Sequence, residues 1–374
     1  MISTTDYSTP PISYGGEVFF WDLAEALAQL DHEVHLFAAP GSKCPTNGFL
    51  HYIRGTYNSI IPLAAEHEVY EIYKDDLLKS DFIIDCSHDH LVAEQIYWYH
   101  REHAKKLFNV LNGVVTMWPR CRPWNMIVGS NKWKELVLNA ISQFKGTPWE
   151  GTQFDAPLPK RFEESEVHII PWACDTSFYT PGCPRGQSSE EDYLLWVGRP
   201  TPYKGLAKAI ELAVKADMPF KVLIRKHAIL EHERYGATYS EIIQKANEKG
   251  AKIEVIEEAK EPHGNMLKRE LYRNAKALIF PDECHEPFGL VLIEAMACGC
   301  PCIVSNLGAL PEIIENGVNG FVCANDEEYL DAIKSVGLIS SETCREVAVK
   351  KFDRLVAAQN YLSLCEKLKN REVA

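Results

Sequence analysis

No stretch of the chain approaches the ~18 consecutive apolar residues needed to cross a bilayer. The longest candidate, 289–305, is broken by Glu294, Gly299 and Pro301. The first residues, MISTTDYSTPP, hold no basic segment followed by an apolar core, so no export signal is expected there. Basic charge is also scarce: 39 Lys and Arg stand against 52 Asp and Glu, a net of −13. That balance argues against a general nucleic-acid binder, whose footprint is a basic face. Phosphate loops of the GxxxxGK[ST] type and nucleophile elbows of the GxSxG type are both missing. Twelve cysteines are present, but their spacing is irregular, and reduced thiols in the cytoplasm are the expectation. Cys298, Cys300 and Cys302 alternate around Gly299 and Pro301, as a helix end passing into a buried strand would arrange them, and no metal is expected.

What is present is ordinary globular composition, 46% apolar with 22 Gly and 21 Pro, in a chain of 374 residues long enough for two domains. Strand-like and helix-like segments alternate throughout, which predicts parallel sheets with helices on both faces. In the first half the expected strands are 1–5, 33–38, 82–85, 107–111, 126–128 and 167–170, with a helix over 19–30. The segment TPGCPRGQSSEED at 180–192 reads as a linker. Beyond it the expected strands are 193–197, 220–224, 252–256, 277–280, 302–304 and 320–322. Helices are expected near 206–215, 239–249, 266–274, 290–297 and 310–315, and over 342–369 with a break near Phe352. The domains expected are 1–182 and 183–352, with 353–374 as a C-terminal helix packing back on the first.

In open α/β sheets, ligands bind beyond the carboxyl ends of the strands. The segment after the strand ending at Phe280, PDECHEPFGLVLIEAMACGCP, is the richest such place. Pro287 suits the first position of a helix, and Gly289 lets a ligand approach the backbone. The N–H groups of Phe288, Gly289 and Leu290 then lack intrahelical acceptors and form a phosphate site. Glu286 precedes that helix, and Glu294 lies inside it among apolar neighbours. A carboxylate so embedded requires a partner, either ligand hydroxyls or a structural cation. After the strand ending at Val197 comes GRPTPYKG, where Arg199 and Lys204 are spaced to clamp a diphosphate or, alternatively, to stand solvated at a helix start. Gly15 and Gly16 open the first helix but lack the third glycine of a dinucleotide fingerprint. His88 and His90 follow the strand at 82–85, as cleft hydrogen-bond donors rather than metal ligands. The window from Arg101 to Lys134 has seven Lys and Arg and a single acid, Glu102. It reads as a solvated face, or as a place that meets an anionic substrate or a membrane surface. Trp98, Trp118, Trp124, Trp133, Trp149 and Trp172 read as core or as an acceptor site.

Together these motifs resemble the retaining glycosyltransferases of family 4. The pair Glu286 and Glu294, seven residues apart inside HEPFGLVLIEAMACGCP, carries most of the likeness, with SNLGALPEIIENGVNGFV, VGRPTPYKG, PWACDTSFYTPG and PPISYGGEVFFWDLAEALAQLDHEVHLF in support. The resemblance implies the GT-B fold: two doubly wound, Rossmann-like α/β domains facing across a cleft, the last helix crossing back to the first. It implies a nucleotide diphosphate sugar as donor, UDP-glucose first, and no metal or other cofactor. The acceptor, whether a sugar, a lipid-linked molecule or a small molecule, is not named by it. Arg199, Lys204 and the backbone of Gly289 and Leu290 would hold the diphosphate, Glu294 the ribose and Glu286 the sugar. Gly16 would approach the donor and His88 would stand near the sugar. The same fold serves sugar phosphorylases, nucleotide-sugar epimerases and silent sugar-nucleotide binders, which remain alternatives at this point. The chain departs from the family at Arg225–Ala228, where a glycine is usual, and at Ile84, where a His is frequent.

Overall fold

The computed structural model describes residues 1–2, 15–39, 41–52, 62–87, 90–111, 125–143, 167–182, 192–225, 233–248, 250–258 and 263–369. The chain divides into two compact units, Met1–Trp172 with Arg354–Ala374, and Ala173–Asp353. Of the Pro- and acid-rich segment 180–192, residues 183–191 lie outside the described residues, and the first crossing between units comes earlier, after Trp172.

In the first unit, α1 (Gly15–Gln29) leads to β1 (His35–Ala38) and β2 (Phe49–Tyr52), then to α2 (Pro62–Lys79) and β3 (Ile83–Asp85). There follow α3 (Leu91–Tyr99), β4 (Leu107–Val110), β5 (Met126–Val128), α4 (Asn131–Gln143) and β6 (Val167–Ile169). Among the described residues the strand pairings are parallel, in the orders β1-β2 and β3-β4-β5-β6. Ile2 joins the two ribbons by bridging Phe37 on one side and Asp85 on the other. Its N–H donates to Ile84 O at 2.9 Å, and its carbonyl accepts from Cys86 N at 2.9 Å. The helix expected at 19–30 begins four residues earlier, at Gly15, and Phe19, Phe20, Leu23, Ala24 and Leu27 turn its apolar stripe into the core.

Among the described residues the second unit holds one sheet of six parallel strands: β7 (Leu194–Val197), β8 (Phe220–Arg225), β9 (Ile253–Glu258), β10 (Ala277–Phe280), β11 (Cys302–Ser305) and β12 (Gly320–Cys323). Helices α5 (Leu206–Lys215), α6 (Glu233–Glu248), α7 (His263–Asn274), α8 (Leu290–Ala297), α9 (Leu310–Ile313) and α10 (Asp326–Ser335) lie between or after the strands, and α11 (Ser341–Phe352) packs on α8. β7, β10 and β11 are buried at every residue, and their sequences LLWV, ALIF and CIVS are apolar runs, as strands covered on both faces require. The strand order is β12-β11-β10-β7-β8-β9. The chain builds outward from β7 to β9, then returns to the middle at β10 and builds the other way. β7 and β10 therefore flank the topological switch point, beyond whose carboxyl ends such sheets bind ligands. The chain re-enters the first unit at α12 (Arg354–Lys369), where Arg354 pairs with Asp22 of α1 at 3.9 Å and Lys369 with Asp81 at 3.1 Å.

Candidate active site

The loops after β7 and β10 meet at the switch point, and their glycines make that contact possible. Gly205 ends the β7 loop at φ 68°, and a Cβ built there would stand 1.9 Å from the carbonyl oxygen of Pro281. Only glycine allows the two backbones to touch in this way. The contact is fastened by Glu283 N donating to Tyr203 O at 2.8 Å and by Trp196 Nε1 donating to Lys204 O at 3.1 Å. From the other side, Gly308 leaves room for the backbone of Glu286, whose carbonyl accepts Ala309 N at 2.9 Å.

Within this frame Lys204 donates to a carboxylate oxygen of Glu286 and lies 3.8 Å from Oδ2 of Asp282. All three are largely withdrawn from water: the side chains of Lys204, Glu286 and Asp282 are 16%, 15% and 0% exposed. Burial works to lower the Lys204 ammonium, but Glu286 and Asp282 outweigh it and hold its pKa above the ordinary value. Asp282 is pushed the other way. Burial raises its carboxyl to about 6 despite Lys204, with Glu286 adding to the push. Its Oδ1 accepts the Cys284 thiol at 3.4 Å, while its Oδ2 is buried without a hydrogen-bond donor. Ligand-type atoms of Asp282, Cys284 and Glu286 lie within 4.8 Å of one another, and the cation among them is the Lys204 ammonium.

The side chain of Arg199 is exposed, and its carbonyl accepts Thr201 N at 2.7 Å. Beyond the carboxylates, α8 starts at Gly289, whose φ of 102° turns the chain into the helix. Phe288 is buried against Phe352, ring centroids 5.9 Å apart, and this fixes the helix entry. The N–H groups of Gly289 and Leu290, at the helix start, meet no acceptor among the described residues. A helix N-terminus, an exposed guanidinium and a buried lysine are thus all carried by the loops that follow β7 and β10. Such a set neutralises a diphosphate.

Glu294 lies one turn into α8, 3% exposed, with three protein partners. Its Oε1 accepts Lys268 Nζ at 2.9 Å and Tyr179 OH at 3.2 Å, and its Oε2 accepts Tyr272 OH at 3.0 Å. Of the two partners open to it in the sequence, the structure supplies the cation, from α7, and adds two phenols. Burial and the Glu294 charge raise the Tyr272 phenol well above its usual value, so it stays a donor. The same region ties down the segment 173–182: Arg273 Nε donates to Thr180 O at 2.7 Å and Arg345 Nη1 to Ala297 O at 2.9 Å.

Sequence reasoning brought Glu286, Lys204, Phe288, Gly289 and Leu290 to one place and missed Asp282, Lys268, Tyr179 and Tyr272. Lys268 and Tyr272 carry a signal in retrospect: four residues apart on one helix, they share a face. The other site residues belong to the first unit. Gly16 is the second residue of α1, and His88 lies outside the described residues. Nearby Asp85 accepts Ser87 N at 3.0 Å and Ala93 N at 3.1 Å, capping α3. Burial works to raise Asp85, but hydrogen bonds from His90 and Ser87 hold it below the usual carboxylate range.

Within the basic window the described side chains have several separate partners. Lys106 donates to Leu78 O and Ser80 O at 2.5 and 2.6 Å, Lys132 pairs with Glu135, and Arg101 lies over the Tyr97 and Trp98 rings. Arg120 and Arg122 lie outside the described residues. Trp133 and Trp172 are core residues, the latter stacked on Phe19 with centroids 5.7 Å apart. Cys300 and Cys302 are fully buried, their thiols 3.8 Å from Ala275 O and 3.7 Å from Leu292 O. Among the described residues no helix is long and apolar enough to cross a membrane.

Residues 184–347 match the family model described as Glycosyl transferases group 1. An uncharacterized glycosyltransferase of Methanocaldococcus jannaschii is 37% identical over 135 residues, 36% of this chain and 32% of that protein. Alignments to this and three other curated relatives span 15% to 64% of those proteins' lengths. Among solved structures, sucrose-phosphate synthase from Thermosynechococcus elongatus superposes with a TM-score of 0.72 at 18% identity, covering 98% of each chain. Anabaena HepE in complex with UDP-glucose superposes with a TM-score of 0.66 at 15% identity, covering 99% of each chain. These likenesses establish the GT-B fold.

Proposed function

We propose that the protein, whose residues 184–347 match the Glycosyl transferases group 1 model, is a glycosyltransferase and more narrowly a retaining hexosyltransferase. Its donor on this reading is a nucleotide diphosphate sugar, UDP-glucose first, and its product an α-glycoside. The observation that carries the reading is the meeting of Lys204, Glu286 and the start of α8 at the switch point of the second unit.

The chemistry follows from those groups. The diphosphate lies across the Gly289 and Leu290 N–H groups, with Arg199 and Lys204 as its counter-ions. As the sugar–phosphate bond lengthens, charge grows on the leaving diphosphate, and these donors already point at it. The side chains supply the positive charge, so the reaction runs without a metal. Glu286, released as Lys204 turns to the phosphate, accepts hydrogen bonds from sugar hydroxyls and sets the anomeric carbon. The acceptor hydroxyl attacks from the face the leaving group departs, and its proton goes to the departing phosphate oxygen. Glu294 takes the ribose hydroxyls by exchanging one of its phenol donors for them, while Lys268 keeps its charge balanced. The complex of HepE with UDP-glucose supports a uridine donor by similarity of fold.

A thermal-shift screen against UDP, GDP, ADP and their sugars tests the donor, because a ligand held at 100 times its Kd adds about 2.7 kcal/mol of stability. The reading expects one nucleotide series to raise Tm. Nucleotide release that requires an acceptor separates a transferase from a phosphorylase or epimerase, and the anomeric coupling constant of the product reports retention. Arg199→Ala and Lys204→Ala should each lower turnover by about 10²- to 10³-fold. Full turnover in both variants rejects the clamp.

A further inference from the structure

The cluster at the switch point has one more carboxylate than the clamp needs. Asp282 is 1% exposed, its Oδ2 accepts no hydrogen bond, and the nearest cation, Lys204 Nζ, is 3.8 Å away and already bonded to Glu286. Resting on the donor site proposed above, we propose that the diphosphate donor binds together with a proton from solvent, and that the carboxyl of Asp282 receives it.

The charges require such a compensation. Without donor, one ammonium faces two carboxylates, so the cluster carries one negative charge. A nucleotide diphosphate sugar brings two more and draws Lys204 toward the phosphate. Oxygens of Asp282 and Glu286 stand within 4.8 Å of each other in the structure, and the turn of Lys204 to the phosphate takes away the cation they share. Two carboxylates so close, shielded from water, do not both stay ionised. Of the two, Asp282 is the more buried, and it is already raised to about 6 before any donor arrives. Glu286 is the less suited, since it must remain an acceptor for sugar hydroxyls.

Other groups facing Asp282 do not take that role. The Cys284 thiol is pushed up to about 12 by burial and by Asp282 itself. Tyr329 of α10, whose hydroxyl is also buried without a partner, lies above its ordinary value through burial. Both stay protonated with or without donor. Lys204 is held above its ordinary value and stays charged. His285, exposed on the same loop, is the one imidazole there and needs its own control.

Calorimetry on the full chain tests this. UDP-glucose is titrated in PIPES and in imidazole buffer at pH 7, with ADP-glucose and GDP-mannose as further probes. The phosphates of these sugars do not titrate near neutrality, so the dependence of heat on buffer counts protons moved by the protein. Uptake of between about 0.5 and 1 proton per site is expected, with affinity falling by up to about tenfold per pH unit above pH 7. Asp282→Asn should bind without proton uptake and with a flat pH profile, and Asp282→Ser serves if Asn fails to fold. His285→Gln should keep the uptake. Binding without proton exchange in the native protein, or uptake that survives in Asp282→Asn or vanishes in His285→Gln, overturns the proposal. If none of the three sugars binds, the donor reading falls and takes this one with it.

Discussion

The α-carbon of Gly205 rests against the carbonyl of Pro281, so the loop that carries Lys204 and the loop that carries Asp282 and Glu286 are held as one piece. Gly205→Ala must push these backbones apart and hold an L-residue in the left-handed region, which by itself costs about 1–2 kcal/mol. The expected outcome is a lower Tm and a loss of nucleotide-sugar affinity together. Gly250→Ala, also at positive φ but with nothing within 4 Å, should lower Tm without touching affinity.

Lys204→Met removes the ammonium that faces two carboxylates. Breaking a buried pair from one side costs roughly 3–5 kcal/mol, and the 15–16% exposure of its members puts this one at the lower end. Lys204 holds the Asp282 carboxyl down to about 6 in the native protein, so in the variant Asp282 takes its proton at a higher pH, which removes one of the uncompensated charges as pH falls. The difference in stability between native protein and variant should therefore be larger at pH 8 than at pH 5, as denaturant unfolding followed by circular dichroism will report.

Asp282→Asn should behave in the opposite sense. The native carboxyl sits near 6, above the ~3.9 of an unfolded chain. Between those values the folded state binds more protons than the unfolded one, so this group's contribution declines as pH rises and is most adverse above 6. The variant should gain stability relative to the native protein at pH 7–8, and the gain should disappear near pH 4.

Glu294 ties α7 to α8 through Lys268 and Tyr272 and reaches the crossing segment through Tyr179. Glu294→Ala leaves Lys268, with 8% of its side chain exposed, as a buried unpaired charge, at a cost of about 3–5 kcal/mol. Tyr272→Phe removes one hydrogen bond and should cost about 1 kcal/mol. The double variant Lys268→Met with Glu294→Leu should recover most of the loss in thermal unfolding while leaving donor affinity impaired.

The second unit was legible nearly strand for strand, because β7, β10 and β11 are runs of apolar residues bounded by Gly and Pro. The candidate site was legible for a related reason: where β7 and β10 end, the following loops could be named before anything was known of their neighbours. Helices α2, α3, α4 and α10 were not assigned in advance. For α10 a signal existed, since the N-cap Asn325 accepts Glu328 N at 3.1 Å and the Glu328 carboxylate reaches back one residue beyond the cap to Ala324 N at 2.7 Å, a close relative of the capping box written in the sequence as Asn and Glu three apart. Asp282 was passed over because its burial depends on Lys204, 78 positions earlier in the chain. The need of Glu294 for a partner could be argued from its apolar helix. That the partner is Lys268 depends on how α7 packs beside α8, which no local pattern records.

A crystal of the protein soaked with UDP-glucose, or with whichever nucleotide sugar raises Tm most, tests the central claim most directly. The account predicts diphosphate oxygens within hydrogen-bond distance of Gly289 N, Leu290 N and Lys204 Nζ, with Glu286 turned to the sugar. A diphosphate bound away from the start of α8, with the Lys204–Glu286 pair still closed, would contradict it.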